Sequence, residues 1–326
     1  MAGNKQYDWP QLGNETAISF LQSALTNNKV SSCYIFNGIK DLGKFQIAKS
    51  FACNLINSFD KNKDFNVEKV ENSGDLQIIK VEEGKKDISI EQVRNLIKNL
   101  NLSSFLNSYK VGIIKEAHKL NLKSSNALLK TLEEPQSKVV IVLLTEKIDA
   151  LPQTIVSRSQ VINFYPVKKD LVYDYLLKNY QADRYEAKRL SGLSMGRPAL
   201  AVKFLEDKDF YQDYVDKAEF FIEALEHDEN YRFKKIKDNL AKNLFGASGR
   251  ELSFDLLDVW ELVARDLLLI ENRQENLIVF EDFKDRLKLL DNISSLDVLN
   301  SIQRARKYLE LNLNPKSVLE ELFVSF

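Results

Sequence analysis

Cysteine and histidine are scarce in this chain, with two of each in 326 residues. They are Cys33, Cys53, His118 and His227, and they are scattered. A structural zinc site takes four nitrogen or sulfur ligands, usually in closely spaced pairs, so neither bound zinc nor disulfides are expected. An excess of one charge is also missing. Forty-six basic residues against 47 acidic ones leave a formal charge of −1. No global field then draws the molecule onto nucleic acid or an anionic membrane, and any DNA contact must be local or shared with partners. No apolar run approaches the roughly eighteen residues of a membrane span. The opening Met-Ala-Gly-Asn-Lys-Gln is polar and lacks a signal-peptide core. These absences lead us to expect a cytoplasmic protein. Repeats and low-complexity tracts are absent as well.

What is present suits a soluble chain of two or three domains, each with its own core. The first half alternates strand-like and helix-like segments. Val30 to Asn37 ends in a β-rich run that meets Gly38, and Lys44 to Ile56 reads as a helix with Ile47, Phe51 and Leu55 at fourfold spacing. Leu76 to Val81 is a short apolar strand. Ser89 opens a helix with a capping box through Gln92, and Val93, Leu96, Ile97 and Leu100 form its apolar stripe. Lys110 to Ile114 and Val139 to Leu144 are continuous apolar runs, which suit parallel strands covered on both faces. Between them, Asn126 to Glu134 reads as a helix stopped by Pro135. Strands separated by helices predict a doubly wound parallel sheet over residues 1–166. Residues 57 to 75 read as a polar surface excursion.

Past Pro166 the pattern becomes helical. Lys168 to Tyr180, Asp183 to Met195 and Pro198 to Glu206 read as three short helices, giving a small unit over 167–208. From about Phe210 the sequence reads as helical throughout, with stripes such as Leu256, Leu257, Trp260 and Val263, then Ile302, Ala305 and Leu309. Asn314-Pro315 marks a turn before a last helix, so residues 209–326 form an all-α domain.

Gly38-Ile39-Lys40-Asp41-Leu42-Gly43-Lys44-Phe45 has the frame of a phosphate loop. Such a loop cradles phosphate oxygens with backbone N–H groups, a lysine reaches the terminal phosphates, and the next hydroxyl holds magnesium. Gly38, Gly43 and Lys44 are in place, but Phe45 stands where the hydroxyl belongs and cannot coordinate an ion. The run is either a degenerate nucleotide loop or a tight strand–helix turn that resembles one, and residual nucleotide binding through Lys44 stays open. A second nucleotide motif needs an apolar strand ending in Asp, often followed by Glu. Here Lys110 to Ile114 leads instead into Lys115-Glu116-Ala117-His118. Lys115 puts a positive charge where a cation's ligand belongs. Glu116 reads as a solvated acid, and His118 has no second catalytic group beside it.

Thr154-Ile155-Val156-Ser157-Arg158-Ser159 is a tight turn-like run displaying one arginine. An arginine inserted across an interface stabilises charge on a transferring phosphoryl group, worth on the order of 10³–10⁵ in rate. Alone, an arginine is more often a surface ion-pair partner.

The ordered set carries more. It runs Trp9-x-x-x-x-Gly13, Tyr34-Ile35-Phe36-Asn37-Gly38, Ser125-Asn126-Ala127-Leu128-Leu129-Lys130-Thr131-Leu132-Glu133-Glu134-Pro135, Thr154 to Gln160, and Asn314-Pro315 with Leu319-Glu320. In this order the pieces resemble the bacterial clamp-loader subunits of the AAA+ superfamily, and among them the delta-prime kind of the DNA polymerase III holoenzyme. The likeness spans the chain, and its specificity is concentrated in residues 108 to 164. It implies an AAA+-like α/β domain, a three-helix lid and a helical collar that oligomerises. The family's Ser-Arg-Cys motif, which supplies an arginine in trans, maps to Ser157, Arg158 and Ser159, with serine replacing the cysteine. A lid sensor arginine maps to Arg197. Many members carry a four-cysteine zinc module after the first helix, and here only Cys53 remains in that region. The resemblance implies a non-hydrolysing subunit with no cofactor of its own beyond weak ATP binding. ATP and magnesium would act at a gamma/tau ATPase neighbour, in a complex with a delta subunit, the sliding clamp and primed DNA, and with no membrane. The competing readings are an active gamma/tau-like ATPase holding magnesium through Glu116 and water, and an unrelated nucleotide-independent scaffold.

Overall fold

The computed structural model describes residues 7–10, 13–57, 70, 74–104, 108–134, 136–239, 244–291 and 293–325. Most of the polar excursion expected over 57–75, and Pro135, lie outside the described residues. The chain divides into two compact units, Met1–Val202 and Lys203–Phe326.

The first unit is built on one sheet of five strands. They are β1 (Cys33–Asn37), β2 (Leu76–Ile79), β3 (Lys110–Ile114), β4 (Val139–Thr145) and β5 (Gln160–Asn163). Their order is β2-β3-β4-β1-β5, and every pairing is parallel, with Cys33 opposite Ile141 and Gly112 opposite that same isoleucine on the other side. Two hydrophobic clusters explain why the central strands are apolar without alternation. Tyr34, Phe36, Val140 and Val142 join Ile47, Phe51 and Leu55 in one cluster. Cys33, Ile35, Ile141 and Leu143 join Val93, Leu96 and Leu128 in the other. Successive residues of a strand point to opposite faces, so both faces must be dry. The parallel sheet flanked by helices was read from the sequence, except for its edge strand β5, which the apolar pattern did not mark.

Helices α1 (Glu15–Thr26), α2 (Lys44–Asn57), α3 (Ile90–Leu100) and α4 (Leu122–Glu133) surround this sheet. Helix α3 begins with the expected reciprocal cap: Ser89 Oγ accepts from Gln92 N, and Gln92 Oε1 accepts from Ser89 N. Helix α4 starts four residues earlier than the apolar pattern suggested. Asn121 caps it by accepting from Ser124 N at 3.0 Å, which satisfies a donor that would otherwise be unpaired. The run before β5 is also more regular than a turn, since Gln153–Val156 forms one helical turn, α5.

Three helices close this part of the chain: α6 (Lys169–Tyr180), α7 (Arg184–Leu193) and α8 (Pro198–Glu206), with the division between units falling inside α8. They meet the rest of the unit at Val167. Its N–H donates to Gly196 O at 2.9 Å, and a Cβ on Gly196 would sit 2.3 Å from Val167 O. Gly13 also packs against the Val167 side chain, where a Cβ would lie 2.4 Å from Val167 Cγ1. Beside it, Asn14 Nδ2 donates to Tyr165 O and Tyr165 N donates to Asn14 Oδ1.

The second unit is helical. Its helices are α9 (Lys208–Leu225), α10 (Glu229–Asn239), α11 (Gly246–Glu271), α12 (Lys284–Lys288), α13 (Ser295–Glu310) and α14 (Pro315–Val324). Trp260 sits fully buried at its centre, stacked on Phe221 at 5.0 Å and edge-on to Phe323, with Nε1 donating to Lys217 O. A last helix does follow Asn314-Pro315 as the sequence suggested, with Asn314 capping α14 and Pro315 opening it. Over 272–283 the helical pattern gives way to two short 3₁₀ turns. The fully buried Asp266 supports that segment, with Oδ2 accepting from Val279 N and Phe280 N, both at 2.8 Å. Among the described residues no helix is long and apolar enough to cross a membrane.

Candidate functional site

The phosphate-loop frame follows β1 at the carboxyl edge of the sheet, where parallel α/β folds place their ligands. Gly38 N donates to Thr145 O at 3.1 Å, which ties the loop to the end of β4. Two of the loop's positions need glycine. Gly38 has φ +152°, and a Cβ there would lie 2.6 Å from Phe164 O. Gly43 has φ +84°. Asp41 adopts the left-handed region as well, with φ +63°.

Lys44 is only 8% exposed, and its ammonium turns back to donate to the carbonyls of Gly38 and Ile39. Burial pushes its pKa down, opposed by the carboxylates of Glu146 and Asp41. The loop's lysine is therefore bound to the loop's own backbone. The segment after Arg197 also reaches the loop, since Ala199 N donates to Asp41 O at 3.1 Å. Arg197 itself is half-buried, with Nε donating to Ser194 O at 3.0 Å.

The two residues that depart from the nucleotide-motif patterns, Phe45 and Lys115, touch each other. Lys115 Nζ lies 4.3 Å from the centre of the Phe45 ring, and Lys49 Nζ lies 5.1 Å from it. Burial lowers the Lys115 pKa first, with Lys80 next. A divalent cation needs oxygen ligands at close range. An aromatic ring and an ammonium offer none, and a second cation there would be repelled, so the residues present do not fit magnesium. Glu116 adopts φ +52°, and its carboxylate pairs with Lys119 at 2.7 Å. His118 is half-buried, burial lowers its pKa, and its Nδ1 is buried without a hydrogen-bond partner. Among the described residues no cluster of His, Cys, Asp or Glu could hold a metal ion.

Arg158 stands on the turn that follows α5, 39% exposed at its side chain. Nη1 donates to Thr154 O at 3.1 Å, and Nη2 lies 3.1 Å from Glu133 Oε1 at the end of α4. The flanking serines fix the turn. Ser157 Oγ donates to Thr154 O, and Ser159 Oγ reaches Ile155 O at 2.7 Å and Cys33 Sγ at 3.1 Å. Burial raises the Cys33 thiol to about 12.

Gly38, Gly43, Lys44, Phe45 and Lys115 are thus brought together, whereas Arg158 takes its contacts from a separate pair of segments. Sequence reasoning passed over two residues at these places. Thr145 is the polar end of an otherwise apolar strand, which was a usable signal. Glu133 lay inside a quoted motif, but its pairing with Arg158 depends on how α4 and α5 pack and leaves no trace in spacing.

Residues 13–168 match the family model described as "DNA polymerase III, delta subunit". A delta' subunit of DNA polymerase III from Bacillus subtilis (strain 168) is 24% identical over 94% of this chain and 93% of its own length. The gamma subunit of Buchnera aphidicola subsp. Acyrthosiphon pisum is 29% identical over 62% of this chain and 58% of its own. The gamma/tau subunit of Mycoplasma genitalium is 28% identical over 77% and 43%. The chain thus spans about half the length of those two gamma-type relatives. Residues 13–168 thus match the family model of the DNA polymerase III delta subunit, and the chain is similar to delta' and gamma-type subunits of that polymerase.

Proposed function

We propose that this chain is a non-hydrolysing, delta'-type subunit of a DNA polymerase III clamp loader, working in the cytoplasm and presenting Arg158 to ATP held by a neighbouring gamma/tau subunit. The observation that carries this reading is the Phe45–Lys115 contact in place of a magnesium site, together with an exposed arginine on a rigid turn. In this reading the α/β unit keeps the shape of a nucleotide-binding domain without its metal chemistry. Arg158 still has N–H groups beyond the two that contact Thr154 and Glu133, enough to meet phosphate oxygens. Its chemical task is to stabilise negative charge developing on the transferring phosphoryl group of the neighbour's nucleotide. Residues 209–326 act as the oligomerising collar, Arg197 as a vestigial lid sensor, and a delta subunit, the sliding clamp and primed DNA complete the assembly.

The test is reconstitution. The purified chain alone is expected to show no magnesium-dependent ATP hydrolysis. In the complex with gamma/tau and delta subunits, Arg158→Ala should lower hydrolysis at the adjoining site by about 10³-fold or more. Vigorous hydrolysis by the chain alone, or an Arg158→Ala complex as active as wild type, overturns the reading. The gamma-type relatives supply the second reading, an ATP-hydrolysing subunit, and the same hydrolysis assay on the isolated chain decides against it or for it.

A further inference from the structure

Arg158 has a charged partner whose placement needs its own explanation. Glu133 is the last residue of α4, and its Oε1 lies 3.1 Å from Arg158 Nη2. An acid at a helix C-terminus faces the negative end of the helix dipole, so helix stability does not account for it there. Nor does burial, since the Glu133 side chain is 49% exposed.

We propose, resting on the reading of Arg158 given above, that Glu133 is a positioning residue: the resting counter-ion of Arg158, exchanged for a phosphate oxyanion when a neighbouring molecule's nucleotide arrives. The geometry divides the guanidinium's contacts into two kinds. Thr154 O is a neutral backbone acceptor on the arginine's own turn, and it holds Nη1 whatever else happens. Glu133 supplies the negative charge, from a different helix. While the carboxylate stays paired it cancels much of the positive field that a phosphoryl group would feel, so the arginine becomes effective only after the exchange. The exchange is easy because water screens so exposed a pair. A phosphate carries more charge than a carboxylate and can also accept two parallel N–H bonds, against the single Arg158–Glu133 pair here, so it wins the competition. Without an anion nearby, the pair keeps the long arginine side chain from wandering.

The experiment uses the reconstituted clamp-loader complex, with ATP hydrolysis followed against ATP concentration. Glu133→Gln removes the charge and keeps the shape. It should lower the apparent KM for ATP by about 1.5- to fivefold, the range that 0.2–1 kcal/mol for an exposed pair converts to, with the change in KM exceeding that in kcat. Glu133→Asp, which keeps the carboxylate, should stay near wild type. In an Arg158→Ala background, Glu133→Gln should change nothing, because the counter-ion has lost its partner. An unchanged or raised KM for Glu133→Gln, or an equal shift in the Arg158→Ala background, overturns the proposal. The two readings fail separately. A fully active Arg158→Ala complex removes the arginine's role, whereas a crippled Arg158→Ala complex beside a silent Glu133→Gln removes only the counter-ion.

Discussion

The ammonium of Lys115 lies 4.3 Å from the centre of the Phe45 ring, so the two residues that depart from the nucleotide-motif patterns form a single cation–π contact. Such a contact is worth about 0.5–2 kcal/mol depending on its exposure. Losing one ligand alone would leave a weakened site. Here a ring and a fixed positive charge stand at both motif positions together. Restoring the hydroxyl alone, by Phe45→Thr, should therefore leave nucleotide binding unchanged, because Lys115 still repels a divalent ion. The pair Phe45→Thr with Lys115→Asp should bind magnesium–ATP at least about tenfold tighter than wild type, a gain of about 1.4 kcal/mol. Titration calorimetry with and without a chelator reads this directly, and a double variant no better than wild type contradicts it.

The loop's backbone makes a second prediction. Gly38→Ala would place a methyl 2.6 Å from a backbone oxygen that cannot move away cheaply, and Gly196→Ala would place one 2.3 Å from Val167 O. Each should cost more than the roughly 1–2 kcal/mol of left-handed strain. Gly84 has φ +73° and open space around it, so Gly84→Ala should cost only the strain. Thermal melts of the three variants rank them, and an equal loss for all three would show that the steric argument fails.

Cys33 should resist alkylation in the folded protein. It is 1% exposed and burial raises its thiol to about 12, so almost no thiolate exists at pH 8. Timed labelling with iodoacetamide, read by mass spectrometry, should modify Cys33 only when denaturant is added. Rapid labelling of the native chain would contradict its placement beneath Ser159.

Asp266 links stability to pH. Burial raises its carboxyl from 3.8 to about 6, outweighing the amides of Val279 and Phe280 and the Arg265 charge. The folded state thus holds this proton more tightly than the unfolded chain does. The stabilising contribution is complete below about pH 4 and is lost as pH rises through about 6, a difference on the order of 3 kcal/mol. Asp266→Asn keeps an acceptor for the two amides and removes the titration. Urea unfolding of both proteins should therefore show stability shifting in favour of Asp266→Asn from pH 4 to 6. A constant difference across that window contradicts the assignment.

The sequence revealed the sheet because its central strands must be apolar on both faces, and Lys110 to Ile114 and Val139 to Leu144 advertise this directly. The cap at Ser89 was legible for a similar reason, since its chemistry is local, and Asn314-Pro315 was legible as the turn before the last helix. Helix α4 began earlier than expected because Asn121 caps it before the apolar stripe starts. The 272–283 segment was hidden for the opposite reason: Asp266, a distant buried acid, organises its backbone. The departures from the two nucleotide motifs were visible in Phe45 and Lys115 separately. Their mutual contact, the return of Lys44 onto Gly38 and Ile39, and the pairing of Glu133 with Arg158 come from tertiary packing, which spacing does not encode.

The junction at Val167 has a kinetic consequence. Asn14 and Tyr165, whose reciprocal bonds flank it, are 151 residues apart in the chain. Closing so long a loop exacts an entropic toll that only a largely assembled sheet can repay. The amides of Tyr165 and Val167 should accordingly gain protection late during refolding, after those of β1 and β4, which makes this seam a late-maturing part of the first unit.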